Sequence, residues 1–183
     1  MATANWFRYA YLAHVSRPKS VRQLFRLVKR HRFSRIVEVG ISDMQRAVAL
    51  VEVAQRFAGE QTISYTGIDW FDARSHELAP LKLKDAYRVL RATGANVRLV
   101  PGSPSASLVT CANAHANTDF IVIASSVEDC ELERAWFYVP RMLHAASIVL
   151  REGRNADGEP IFMPIASKQL NAWAAAAGSR KAA

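Results

Sequence analysis

The chain has 183 residues, half of them hydrophobic and 22% charged. That length holds one domain with a sizeable core and excludes two of ordinary size, and that composition excludes a disordered or fibrous protein. The net charge of +8 is carried unevenly, because residues 1 to 37 contain Arg8, Arg17, Lys19, Arg22, Arg26, Lys29, Arg30, Arg32 and Arg35 but no Asp or Glu, which leaves the rest nearly neutral.

The basic segment comes first in chain order. Val21, Leu24, Phe25 and Val28 form an apolar stripe with Arg22, Arg26, Lys29 and Arg30 facing elsewhere, the pattern of an amphipathic helix. Either it covers the domain with its cations in water, or residues 8 to 35 meet a nucleic acid or an acidic surface. Trp6, Phe7, Tyr9 and Tyr11 beside Arg8 are too aromatic for a free tail, so this end is expected to dock on the domain or on a partner.

From Ser34 onward, apolar β-rich runs alternate with segments of helical period, which predicts an α/β domain with a Rossmann-like, mainly parallel sheet. The first strand is Arg35 to Val39, ended by Gly40. Met44, Ala47, Val48, Val51, Ala54 and Phe57 then give one helical face, with Ser42 or Asp43 as N-cap and Gly59 past the end. A second strand runs from Thr62 to Asp69, a helix from Leu81 to Ala92, and a third strand from Val97 to Val100, closed by Pro101 and Gly102. Ser103 to Ala116 is read as helical.

The fourth strand, Phe120 to Ala124, is wholly apolar, as a strand covered on both faces should be. Glu131 to Leu143 reads as a helix that Pro140 kinks or ends, and Ser147 to Leu150 as the fifth strand, after which the parallel sheet is expected to stop. A polar loop follows Arg151. Ile161 to Ile165, interrupted by Pro164, reads as an edge strand, and Ser167 to Ala177 as a closing helix stopped at Gly178. The expected organisation is a basic helical extension over residues 1 to 33, the domain over 34 to 178, and a tail over 179 to 183.

Ligands of an open parallel sheet bind beyond the carboxyl ends of its strands, near the point where strand order reverses. Four turns are therefore in place for chemistry: Gly40 to Met44, Asp69 to Asp72, Gly102 to Ser105, and Ala124 to Asp129. An acid inside the apolar first strand, Glu38, needs a hydrogen-bonding purpose. It either organises the turn after the strand or pairs with Arg35 or another cation. Asp69, Trp70 and Phe71 combine a carboxylate with aromatic surface; they suit a nucleoside, or else cap a turn and fill the core edge. Glu128, Asp129, Glu131 and Glu133 read as a solvated helix start.

Taken in order, Glu38-Val39-Gly40, Gly67-Ile68-Asp69, Gly102-Ser103-Pro104 and the spacing of the last two parallel strands resemble the class I S-adenosylmethionine-dependent methyltransferases, over about residues 35 to 151. The resemblance implies S-adenosylmethionine as cofactor, with Gly40 and Ser42 at the methionyl end and Glu38 organising their turn, Asp69 at the ribose hydroxyls, and Trp70, Gly102 and Ser103 about the adenine. The chain departs from the family in three places, the first being Gly102-Ser103-Pro104, which has the position of the family's Gly-Asp-Ala turn without the acid. Gly40-Ile41-Ser42-Asp43-Met44 keeps only the first of the usual three glycines, and Asp43 stands near the methionyl carboxylate unless it turns back to cap its own helix.

Ala124 and Ser125 replace the aspartate of a metal-dependent O-methyltransferase, and the five histidines lack ligand spacing, so no metal is expected. No residue stands out as a catalytic base. Cys111 and Cys130 lack partners at metal-binding spacing and read as reduced thiols of a cytoplasmic protein, and no apolar run reaches the ~20 residues that span a bilayer. The functional alternatives are a catalytically inactive binding or scaffold domain of the same fold, and a nucleic-acid-binding protein acting through the basic helix.

Overall fold

The computed structural model describes residues 6 to 182, with side chains as far as residue 179. Six strands form one sheet in the order β3-β2-β1-β4-β5-β6. They are β1 Arg35–Val39, β2 Ser64–Asp69, β3 Asn96–Pro101, β4 Thr118–Ile123, β5 Leu143–Arg154 and β6 Pro160–Pro164. The first five are parallel and β6 is antiparallel to β5, with Leu150 opposite Pro164 and Arg154 opposite Pro160. The order reverses beside β1, between β2 and β4, so the switch point lies at the ends of β1 and β4.

Each helix starts and stops for a local reason. Helix α1, Trp6–Ala10, runs into a π-helical turn over Tyr11–Val15, and α2, Lys19–His31, ends where Arg32 turns left-handed at φ 53° and its amide returns to Val28 O. The N-cap of α3, Met44–Phe57, is Asp43, whose carboxylate accepts from Gln45 N at 2.8 Å. Helix α4 spans Leu83–Arg91, and α5, Pro104–Cys111, begins with proline in its first turn and Ser103 as N-cap. Three short pieces follow β4: α6 Asp129–Leu132, a 3-10 turn Ala135–Phe137, and α7 Val139–Met142; the last helix, α8, is Ser167–Ala182.

The helices cover both faces. Leu24, Phe25 and Val28 of α2, Leu50 and Ala54 of α3 and Leu90 of α4 pack with Ile36, Tyr65, Phe120 and Val122 on one side; Leu108, Leu132, Trp136, Met142 and Leu170 pack with Val37, Val39, Ile68, Ile121 and Ile123 on the other. Residues of one strand alternate between the two clusters, as the pleat requires. Burial on both faces is what makes the Phe120 to Ile123 part of β4 wholly apolar.

The parallel part of the sheet ends at β5 and β6 follows as the expected edge strand, because β5 runs to Arg154 and a turn at Gly158 sends the chain back alongside. Two expectations change here. The expected helix Glu131 to Leu143 is broken into short turns, since Pro140 denies it a continuous ladder and β5 has begun by Leu143. The closing helix passes through Gly178 to Ala182, so the expected boundary there lies inside a helix; Gly178 faces Phe137, where an added methyl would stand 3.1 Å from the ring. The helix of the basic extension belongs to the common core, and the Ser20 hydroxyl donates to Pro160 O of β6. The first five residues of that extension and the last of the tail lie outside the described residues.

Candidate functional site

At the carboxyl edge, the turns after β1, β2 and β3 all leave the ordinary backbone regions. Gly40 has φ +74°, Phe71 +48° and Gly102 +129°. Glycine takes such angles freely, but a bulky Phe71 there is strained and must be held by its surroundings. Gly40 is required by packing as well: a methyl group on it would lie 2.7 Å from Val127 Cγ2 and 2.9 Å from Ala124 Cβ, the segment just past β4. Gly40→Ala is therefore expected to lower the unfolding free energy by about 2 to 4 kcal/mol, from left-handed strain plus overpacking. Urea denaturation measures it, and a loss under about 1 kcal/mol would contradict this account of the turn.

Between these turns is a hollow of about 650 Å³ lined by Gly40, Asp69, Trp70, Ala73, Ser75, Glu77, Leu78, Pro104, Ser125, Ser126, Val127, Glu128 and Glu131. Two hollows of comparable size lie elsewhere, one of about 740 Å³ between α5 and α8 and one of about 770 Å³ at the opposite edge, beside Arg35, Arg98 and His115. Size does not choose among them. Position does, because only the first opens at the switch point.

The candidate residues divide into two groups. Gly40, Asp69 and Trp70 line the hollow, and Trp70 is 39% exposed there. Glu38, Ser42, Gly102 and Ser103 are not among its lining residues. The Ser103 hydroxyl accepts from Ala106 N at 3.3 Å and caps α5, and the Ser42 hydroxyl donates to Glu152 Oε2 at 2.7 Å. Gly102 donates its amide to Asp69 O and so joins the ends of β2 and β3.

Asp69 is 4% exposed and its acceptor sites are filled by the protein itself. Oδ1 accepts from Phe71 N at 2.9 Å and Arg74 Nε at 2.6 Å; Oδ2 accepts from Ile41 N at 2.8 Å and Arg74 Nη2 at 2.6 Å. Four donors use the roughly four lone-pair positions of a carboxylate. The same guanidinium also donates to Ile41 O and Ala79 O. Asp69 and Arg74 thus tie the turns after β1 and β2 together, and the Asp69 carboxylate, accepting from the Phe71 amide, helps to hold its strained backbone.

Among the described residues, Glu38 meets Tyr65 and Arg46 rather than Arg35. It lies under α3 at 1% exposure, where its carboxylate accepts from Tyr65 OH at 2.7 Å and from Arg46 Nη2 at 3.3 Å. Arg46 also forks onto Glu152 of β5, Nη1 to Oε1 at 2.9 Å and Nη2 to Oε2 at 3.2 Å. One guanidinium therefore serves two buried carboxylates. Burial pushes the Glu38 carboxyl up, against the opposing pull of Arg46 and the Tyr65 hydroxyl. Burial also acts on Glu152 in that direction, but the Arg46 hydrogen bonds and charge, with Ser42 and the Ser125 amide, outweigh it and hold Glu152 below the usual carboxylate range.

In the acidic run, Glu128 and Glu131 form a reciprocal capping box at the start of α6, and Asp129 pairs with Arg151 at 3.1 Å. Glu128 and Glu131 also line the hollow. Among the described residues no group of three or more His, Cys, Asp or Glu is placed to hold a metal ion, and no helix is long and apolar enough to cross a membrane.

No family model matches the chain, and no curated protein does. Solved structures do match in fold. One is the O-methyltransferase TomG from Streptomyces achromogenes, involved in tomaymycin synthesis and solved in complex with SAM: 15% identity, TM-score 0.50, 80% of this chain and 63% of that one. Another is the cofactor-bound Rv0187 from MTB, at 18% identity and TM-score 0.52, covering 96% of this chain and 73% of that one. The chain has a class I methyltransferase-like fold. It spans less than two thirds of the length of TomG. The likeness extends to the arrangement expected from the sequence, a methyltransferase-type sheet with helices on both faces.

Proposed function

We propose that the chain binds S-adenosylmethionine, or a nucleoside of that class, in the hollow at the switch point and transfers the methyl group to an acceptor. The observation that carries this reading is the coincidence of that hollow with Gly40, Asp69 and Trp70, the residues at the ends of β1 and β2. Its volume of about 650 Å³ is ordinary for a small-molecule site. The Trp70 ring offers a surface for a base, and Glu77, Glu128 and Glu131 give the wall a negative character that suits a sulfonium cation. These features fit the cofactor.

The cofactor would supply a methyl group activated on sulfur, and direct displacement asks the protein mainly for alignment. In this reading Gly40 and Ser42 stand at the methionyl end, with Glu38 supporting their turn through Arg46. Asp69 faces the ribose, and Trp70, Gly102 and Ser103 face the adenine. Ser42 and Ser103 contribute chiefly backbone, since their hydroxyls serve Glu152 and α5. A ribose diol would have to take lone pairs of Asp69 that Arg74 now uses.

That last observation favours a second reading, a catalytically inactive binding domain of the same fold. Calorimetric titration with S-adenosylmethionine and S-adenosylhomocysteine separates the two. The first reading expects saturable heat with both ligands, and no heat at millimolar ligand would sink it in favour of the second. A cytoplasmic setting agrees with Cys111 and Cys130 both being free thiols.

A further inference from the structure

Helix α1 and the π-helical turn after it touch the domain along one side. Tyr9 and Ala13 are buried, Leu12 packs on the core, and the Tyr9 ring meets Phe57 edge-on at 4.7 Å. The other side carries Phe7, Tyr11 and Val15, spaced four residues apart, with Trp6 beside Phe7; their exposures are 76%, 57%, 61% and 61%. These ten residues hold four of the eight large hydrophobic side chains exposed among the described residues. Scattered surface residues need no explanation, but a contiguous patch does.

Along the sequence the charge beside the patch has one sign; in space the exposed Glu159 stands next to Pro160, which Ser20 meets. No acid occurs before Glu38. Arg17 and Lys19, just past Val15, are exposed and form no ion pair among the described residues. Arg22 and Arg26 donate to His14 O and Ala13 O and so hold their charges on the flank of the same turn. The nearby acid Glu52 is buried and met by Arg8 at 2.9 Å.

We propose that Trp6 to Val15 lies flat on an anionic lipid surface, with its aromatic side in the headgroup region and the flanking cations on the lipid phosphates and carboxylates. Aromatic and aliphatic side chains on one face of a short helix, bordered by Lys and Arg, are what an interfacial segment requires. Ten residues cannot span a bilayer, so the segment lies on the membrane rather than in it. A nucleic acid would use the cations and leave Phe7 and Val15 without a role. A second protein chain would use the apolar side and leave the absence of acids unexplained. The cofactor reading is independent of this proposal.

The test is sedimentation of the full chain with vesicles of phosphatidylcholine containing one third phosphatidylserine, beside vesicles of phosphatidylcholine alone, at low and high salt. Binding is expected to the mixed vesicles and to weaken with salt. The triple variant Phe7→Ser, Tyr11→Ser, Val15→Ser is expected to bind roughly tenfold or more weakly, and Arg17→Gln with Lys19→Gln roughly fivefold or more weakly. All five positions are exposed, so melting temperatures should be unchanged. No sedimentation, or equal sedimentation with both vesicle types, would overturn the proposal. So would binding of single-stranded RNA without vesicle binding, or a dimer that the triple variant dissolves.

Discussion

Replacing Arg46 by methionine is expected to lower the unfolding free energy by about 3 to 5 kcal/mol, out of the 5 to 15 that stabilise a typical domain. Methionine keeps the inner, apolar part of the side chain, so lost packing is the smaller part of the effect. What remains is Glu38 at 1% exposure and Glu152 at 4%, facing each other with no cation between them. A buried carboxylate without a partner must take a proton or force its surroundings open. The Arg46 guanidinium also sits 5.3 Å from the centre of the Phe162 ring, so its removal disturbs β6 as well.

The two acids should then respond differently to neutralisation. Burial raises the folded value of Glu38, so its ionisation works against the fold, and Glu38→Gln removes that charge while keeping an acceptor for Tyr65. It is expected to change stability near neutral pH by less than about 1 kcal/mol. Glu152→Gln breaks the fork to Arg46 and is expected to cost about 2 to 3 kcal/mol. The signs with pH are opposite. A lowered Glu152 gives stability that is present above its unfolded value and lost as pH falls through the folded one; a raised Glu38 gives stability that is present below its unfolded value and lost as pH rises through the folded one. Melting temperature against pH should therefore lose part of its acid limb in Glu152→Gln and part of its upper decline in Glu38→Gln. Equal losses in all three variants would refute the division of roles.

The contrast between Glu38 and Glu152 shows what the sequence could reveal. An isolated acid in an apolar strand is visible as an anomaly, and it demanded a partner. The partner was less visible, because Arg46 lies among the apolar residues of α3 and looks like a surface cation at a helix start. Its position eight residues after Glu38 becomes meaningful only once the strand and helix pack. Glu152 was hidden further, in a run of Gly, Asn and Asp that reads as loop, because strand β5 outlasts its apolar stretch and carries the acid inside. The sheet itself was legible from alternating period, since burial on both faces keeps the centres of β1 and β4 apolar apart from Glu38. The broken region between β4 and β5 was not, as its turns are set by contacts with α5 and α8 rather than by local pattern.

Asp69 presents the sharper case, and Asp69→Ala is expected to cost about 3 to 5 kcal/mol with no ligand present. The loss would leave the Arg74 guanidinium, 8% exposed in its side chain, without its carboxylate, and the amides of Ile41 and Phe71 without their acceptor. Phe71 would also be left at φ +48° with less to hold it there. An acid kept only to bind a ligand behaves otherwise: its removal is neutral or stabilising, because functional groups are usually held at a cost to the fold. Arg74→Gln separates structure from binding. It should cost about 1.5 to 3 kcal/mol through the lost charged hydrogen bonds, while freeing lone pairs of Asp69 for a ribose diol. If that carboxylate is the ribose acceptor, S-adenosylmethionine should bind Arg74→Gln roughly tenfold more tightly than the native chain, the worth of a hydrogen bond no longer contested. Unchanged affinity beside the expected loss of stability would assign Asp69 to the scaffold and leave Gly40 and Trp70 as the residues that meet the nucleoside.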